Sequence, residues 1–313
     1  MSTFADVYRR VLLRCPGADP LLVRDWVQEA YRVACDDKVW SHQRAETAII
    51  VDDQRRGTAD VEQGSPVVLG GTLIFANTDI GRQVRVSSIP LYTLIDVDTV
   101  LNTATLDRPY AEADDTVQLT ILDAYWTAPE DFWRFLAVVD PTNKWRLRWW
   151  VTEDQLNAID PGRMSTGSPW CVASQRYSPV EADAGRARYE VYPYVTSARS
   201  FAVLYYTKPA TLVEDDVLIG PFARGGDDTL IEGALWQAAL WPGTGDLKNP
   251  YFSLPLAEQL EARFRAKVQT LENKDEDLYP TFMPSAMYYP WAPYPLDSAW
   301  LQGHVPQTID AAW

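Results

Sequence analysis

Two histidines, His42 and His304, are the whole imidazole supply of this 313-residue chain. Neither stands in a pattern with a serine or cysteine from which a nucleophile and its base could be built. The three cysteines, Cys15, Cys35 and Cys171, are odd in number and scattered. Without a CxxC or metal spacing they read as free thiols of a reducing cytosol. No GxxxxGK[ST], GxGxxG, HExxH or GxSxG string occurs, so nucleotide chemistry and the common hydrolase elbows have no foothold. The glycine pairs Gly70-Gly71 and Gly225-Gly226 fit hairpin turns better than phosphate cradles.

Carboxylates are the remaining chemical resource. They cluster at Asp36/Asp37, Asp52/Asp53, Asp114/Asp115, Glu214 to Asp216 and Asp227/Asp228. Paired carboxylates among tryptophans are the equipment of glycoside hydrolysis. Each cluster, however, falls at a predicted element boundary, where aspartate caps helices and closes turns. Asp96 and Asp98 open like a calcium loop, but no glycine and no distal glutamate follow at the required spacing. These residue types predict carboxylates that shape turns, with no metal and no cofactor, and leave an acidic glycosidase as the enzymatic alternative.

Charge narrows the partners. Lys and Arg number 28 against 43 Asp and Glu, a net charge of −15, whereas a protein that holds DNA by neutralising phosphates leans the other way. A 47% hydrophobic and 23% charged composition excludes a disordered chain. No apolar run approaches the roughly 20 residues of a membrane span, and residues 1 to 6 lack the regions of a signal peptide. A protein made in the cytoplasm, with no membrane contact, is expected. Thirteen Trp and sixteen Tyr against nine Phe favour rings with a polar handle, which suit interfaces.

The pattern predicts an α+β fold in four stretches. Residues 1–47 form a helical hairpin. Phe4, Val7, Tyr8, Val11 and Leu12 recur at helical spacing, and Asp19 caps a second helix with Pro20 at its first position. Residues 48–206 are β-rich and antiparallel, with period two clearest where Val117, Leu119 and Ile121 alternate with Gln118 and Thr120. A strand is expected over 145–151, then a short helix capped by Thr152 with Gln155 at N3. Residues 207–277 return to helix: Asp228 or Thr229 caps a run ending near Trp241, and Ser253 precedes a long helix in which Glu261 and Arg265 pair. Trp26, Tyr31, Ala234, Ala238, Leu260 and Phe264 are the expected packing residues of a bundle made by the N- and C-terminal helices.

Residues 278–313 form an arm of different composition. Between Tyr279 and Trp300, Pro, Tyr and Trp supply 11 of 22 residues and Asp297 is the only charge. The prolines forbid regular helix and favour an extended chain, and the ring content requires a surface to lie on. Tyr288, Tyr289, Trp291, Tyr294 and Trp300 are the expected anchors, on a neighbouring subunit, on a partner protein or back on the same chain.

The succession of strings resembles the head-to-tail adaptor (connector, neck) proteins of tailed bacteriophages. VRDWVQEAYRVACDDKVWSHQRAE (Val23 to Glu46) is similar to that family's opening helix, turn and strand. GTADVEQGSPVVLGGTLIFANTDIGRQVRV (Gly57 to Val86) resembles its β-module. The resemblance continues in YTLIDVDTVLNTATLDRPY (Tyr92 to Tyr110), APEDFWRFLAVVDP (Ala128 to Pro141), GSPWCVA (Gly167 to Ala173), YYTKPATL (Tyr205 to Leu212) and DDTLIEGALWQAALW (Asp227 to Trp241). It covers most of residues 4 to 275, and the arm lies beyond it.

The resemblance implies a structural virion protein, not an enzyme, of the neck between capsid and tail. It implies a homo-oligomeric ring, twelve copies in the usual pattern, that binds the portal above and a tail or nozzle protein below, with DNA passing through without specific binding. A competing class is a carbohydrate-binding β-sandwich module of a tail fibre or tailspike. That class requires Trp133, Trp145, Trp149 and Trp150 to line an exposed sheet face, although their nearness to Phe132 and Phe135 favours core.

Overall fold

The computed structural model describes residues 2–86, 91–113, 115–177, 183–223, 225–244 and 247–278. They form two compact units, Met1–Arg44 with the chain from Thr207 onward, and Ala45–Tyr206. The elements are mixed α and β.

In the first unit, local capping chemistry starts the helices. Helix α1 (Phe4–Arg14) opens on a capping box in which the Asp6 amide donates to Thr3 Oγ1 and the Thr3 amide to Asp6 Oδ2. Helix α2 (Pro20–Asp37) opens on Asp19, which accepts from the Leu21 amide at 2.9 Å, with Pro20 at N1. Farther on, helix α4 spans Asp227–Leu240 and helix α5 Leu254–Leu278. Neither Asp228 nor Thr229 caps α4: Gly226 is the N-cap, and Asp227 and Asp228 lie in the first turn. There they face the positive helix end and bind Arg10 at 2.5 Å each.

The four helices share one apolar core. Helix α4 is central, packing on α1, α2 and α5, and it allows this because its middle is small. A Cβ on Gly233 would lie 2.7 Å from both Ala30 Cβ of α2 and Phe264 Cε2 of α5. Trp236 stacks on Phe264 with ring centroids 5.7 Å apart, and Phe222 receives the edges of Tyr31 and Trp40.

The second unit begins with β1 (Arg44–Val51) and then closes a barrel. Strands β2 (Arg55–Val61), β3 (Val67–Gly70), β4 (Gln83–Val86), β5 (Leu91–Asp98), β6 (Thr103–Leu106) and β7 (Asp115–Leu122) join in the order β2-β3-β6-β5-β4-β7, with β2 also paired to β7. Closure removes the open edges that a flat sheet would expose. Alternation fills the inside: Ala59, Val61, Val68, Val84, Leu94, Ala104, Leu106, Val117, Leu119 and Ile121 belong to one core. Gly57 is required where β2 meets residue 73, because a Cβ there would fall 2.7 Å from the Leu73 backbone nitrogen.

Two four-stranded sheets complete the unit. Strands β8 (Tyr125–Thr127), β9 (Phe132–Asp140), β10 (Trp145–Arg146), β11 (Arg148–Thr152), β12 (Cys171–Tyr177), β13 (Ala187–Tyr192) and β14 (Arg199–Thr207) join β1 in the orders β1-β14-β9-β10 and β11-β12-β13-β8. The two sheets contribute to one core around Phe132, Phe135, Val172, Val191, Phe201 and Val203. Two expectations need correction. The strand expected over 145–151 is two, because buried Leu147 separates β10, which pairs with β9, from β11, which pairs with β12. The β region is also not wholly antiparallel, since β11 and β12 run parallel. Helix α3 (Glu153–Ile159) follows β11 on the expected Thr152–Gln155 capping box.

Candidate assembly interface

Six of the residues expected to pack are found together. Trp26, Tyr31, Ala234, Ala238, Leu260 and Phe264 all belong to the core shared by α1, α2, α4 and α5. Tyr288, Tyr289, Trp291, Tyr294 and Trp300 lie outside the described residues.

Members of the carboxylate clusters are engaged in holding the fold. Asp37 binds Arg265 at 2.7 Å, and Arg265 also binds Glu261 on its own helix. Glu214 accepts from the Tyr8 hydroxyl at 2.7 Å, and Asp216 from the Val213 amide. Asp53 accepts from the Ala198 amide, and the Asp52 amide donates to Asp123. These are the turn and ion-pair roles that aspartate performs at element ends. Among the described residues no group of three or more His, Cys, Asp or Glu could hold a metal ion, and no helix is long and apolar enough to cross a membrane. His42 is likewise packed away, edge-on to Phe222 at 6.1 Å, and burial depresses its pKa against the pull of Asp275.

Surfaces offered to solvent are more informative. At the β5–β6 turn, Val100 is 91% and Leu101 66% exposed, and Ile74 nearby in the barrel is 71% exposed. This turn is fastened on both sides. Asp98 Oδ1 accepts from the Val100 and Leu101 amides at 2.8 and 3.1 Å. Asn102, at φ 51°, donates to the carbonyls of Gly70 and Leu73 and accepts from the Phe75 amide at 2.9 Å. Apolar side chains on a rigid tip have little order to lose on contact, the condition for a preformed anchor.

A second surface is an aromatic cleft of about 470 Å³ lined by Trp133, Arg134, Phe135, Leu136, Trp149, Ser174, Tyr189 and Tyr206. Strands β9, β11, β12, β13 and β14 supply these residues. The Arg134 guanidinium lies 4.7 Å from the Trp133 ring centre and 5.3 Å from that of Tyr206, a cation held against two π faces. Phe135 forms the floor, with Tyr189 edge-on at 4.7 Å. Trp133, Trp145 and Trp149 are therefore neither wholly core nor wholly exposed, and Trp150 is 48% exposed.

Strand β13 also carries a buried polar brace. Glu190, fully buried on β13, accepts from Arg163 Nε at 2.8 Å, the Tyr194 hydroxyl at 2.8 Å and Gln175 Nε2 at 2.7 Å. Burial raises the Glu190 pKa, while Arg163 and Tyr194 oppose the rise. Burial also acts on Asp160, but bonds from the Ser165 and Met164 backbone and the Tyr192 hydroxyl outweigh it and hold that carboxyl down at about 2. The brace fixes residues 160–165 to the β12–β13 pair.

Sequence reasoning missed the turn tip and the brace. The tip carried a signal: Val100 and Leu101 sit where a turn calls for polar residues. The brace carried none, because Arg163, Gln175 and Glu190 are separated along the chain.

A family model described as SU10 adaptor protein matches residues 76–286, more than half of the chain. No curated protein matches the sequence. The matched span takes in strands β4 to β14 and helices α3, α4 and α5, and runs on past Leu278. The chain belongs to the SU10 adaptor family.

Proposed function

We propose that copies of this chain close into a ring beneath the portal of a tailed phage and continue the DNA channel toward a tail or nozzle protein. Membership of an adaptor family is the observation that carries this reading, and it makes the chain a structural phage protein. Twelve copies is the number that the resemblance implies.

The physical chemistry is compatible with that task. A net charge of −15 per subunit, repeated around an axis, repels phosphate within a Debye length of about 8 to 10 Å, so DNA slides without being held. Identical acidic subunits also repel each other, so ring contacts require uncharged surface and a heterologous fit of one patch to a different one. The fastened tip at Val100 and Leu101 is such a patch, and we assign it to the neighbouring copy. The Pro/Tyr/Trp arm anchors through Tyr288, Tyr289, Trp291, Tyr294 and Trp300.

The test is electron microscopy of the purified protein mixed with its portal. Rings stacked on portal are expected. Failure to associate, together with absence of the polypeptide from mature virions, overturns the reading. Truncation after Leu278 is expected to leave a folded subunit that no longer joins the portal; normal joining removes the arm from the assembly mechanism.

A further inference from the structure

The aromatic cleft has no part in the proposal above, and its chemistry is specific. Among the described residues eight line it, and none of these carries a carboxylate or an amide. Carboxylates and amides are the groups that bridge sugar hydroxyls in pairs, and this lining offers single hydroxyls and one guanidinium instead. Aromatic walls with indole N–H and phenol O–H donors are the surface that proline-rich segments use, because their carbonyls stay free and little chain order is lost on docking.

The chain itself contains such a segment. Residues 279–313 follow α5 and include the string Tyr288-Tyr289-Pro290-Trp291-Ala292-Pro293-Tyr294-Pro295. A polyproline II helix has three residues per turn. A segment bound in that form would present Tyr288, Trp291 and Tyr294 on one face and Pro290 and Pro293 on another. The charges match as well. Among the described residues Arg134 is the only charged one lining the cleft, and Asp297 is the only charge between Tyr279 and Trp300.

We infer that the cleft formed by Trp133, Arg134, Phe135, Trp149, Tyr189 and Tyr206 is the receptor for the segment 288–297 of this same kind of chain. Rings of the segment insert beside Trp133 and Tyr206, and Asp297 pairs with Arg134. The inference rests on the reading that the arm is an assembly element, and it names the surface that the arm meets. In a ring, each copy would thereby be tied by one extended strap.

The experiment uses the full-length protein with p-benzoylphenylalanine in place of Tyr289, a position off the proposed contact face but within reach of the cleft rim. After irradiation, adducts are expected on peptides that contain residues 132–136, 149 or 206. Mixing isotopically heavy and light protein tells whether the strap comes from the same copy or a neighbour, and either source supports the inference. Trp133→Ala and, separately, the surface variant Arg134→Glu are expected to lower adduct yield about tenfold or more, as loss of a central anchor does. Adding Asp297→Lys to Arg134→Glu is expected to restore it. Adducts that map elsewhere, or a yield unchanged in both cleft variants, overturn the inference. So does absence of the adduct together with retention of the protein on immobilised maltohexaose that Trp133→Ala abolishes, which would make the cleft a glycan site. None of these readouts requires portal, so a missing adduct in protein that still forms rings removes the receptor and leaves the adaptor reading standing.

Discussion

Replacing Gly233 by alanine asks how closely α2, α4 and α5 meet. In a helix with room to spare, the added methyl group stabilises by about 1 kcal/mol, because alanine loses less backbone freedom than glycine. Here it has no room. The new Cβ would lie 2.7 Å from Ala30 Cβ and 2.7 Å from Phe264 Cε2, against the roughly 3.5 to 4.0 Å of comfortable carbon contact. Both neighbours are fully buried and belong to other helices, so neither moves without shifting a helix. Overpacking of this kind costs about 1 to 3 kcal/mol, which outweighs the propensity gain and leaves a net loss of up to about 2 kcal/mol.

Sign, more than size, decides the matter. A global midpoint averages over both compact units and reads a single helix only indirectly. Amide hydrogen exchange across residues 230–238 reports the helix itself. Faster exchange in Gly233→Ala is expected, with partial recovery in the double variant Ala30→Gly/Gly233→Ala beyond the sum of the single effects. Slower exchange in the single variant, the outcome for a loosely packed helix, refutes the close contact of the three helices.

The other predictions concern charge and assembly. Burial depresses the His42 pKa, so the unfolded chain takes up a proton that the folded one resists. The stability His42 contributes is complete above about pH 6.5 and is lost as pH falls below that value. Thermal melts from pH 7.5 to 5 should fall more steeply for the natural chain than for His42→Phe; parallel curves remove the assignment. Arg163→Met strands Glu190 in the β12–β13 core and is expected to cost about 3 to 5 kcal/mol, with Arg163→Met/Glu190→Met much milder, as urea denaturation of the two variants would show. Val100→Asp/Leu101→Asp should leave the melting temperature unchanged, since both side chains face water, while abolishing rings in negative stain. Intact rings would free the turn tip from any role between copies.

What the sequence revealed was local. The Asp19–Pro20 start of α2, the Thr152–Gln155 box of α3 and the Glu261–Arg265 pair of α5 each depend on residues a few positions apart, where side chains reach backbone or one another within a turn. Alternation in β7 gave the right face because period two states which side is buried. It does not state the partner. Residues 55–61 pair with 115–121, and nothing within either strand announces that the sheet closes. The break at Leu147 was hidden for the same reason: Trp145 to Val151 alternates plausibly as one strand, yet its halves serve different sheets.

The assembly surfaces follow a different rule. A residue that packs in its own core is selected together with its helix or strand neighbours and leaves a periodic trace, as Leu260, Phe264, Val268 and Leu271 do along α5. A residue that packs on another molecule need not. Val100 and Leu101 break the polar habit of turns, and Trp133 and Tyr206 come from separate strands to flank one guanidinium. The first is a departure from local chemistry; the second exists only once β9 and β14 lie side by side. Surface contacts of the first kind are therefore open to sequence reading, through apolar side chains that no element of the chain itself buries. Those of the second kind are made by the fold, and substitutions there, such as Arg134→Glu, should alter docking while the strands that carry them stay paired.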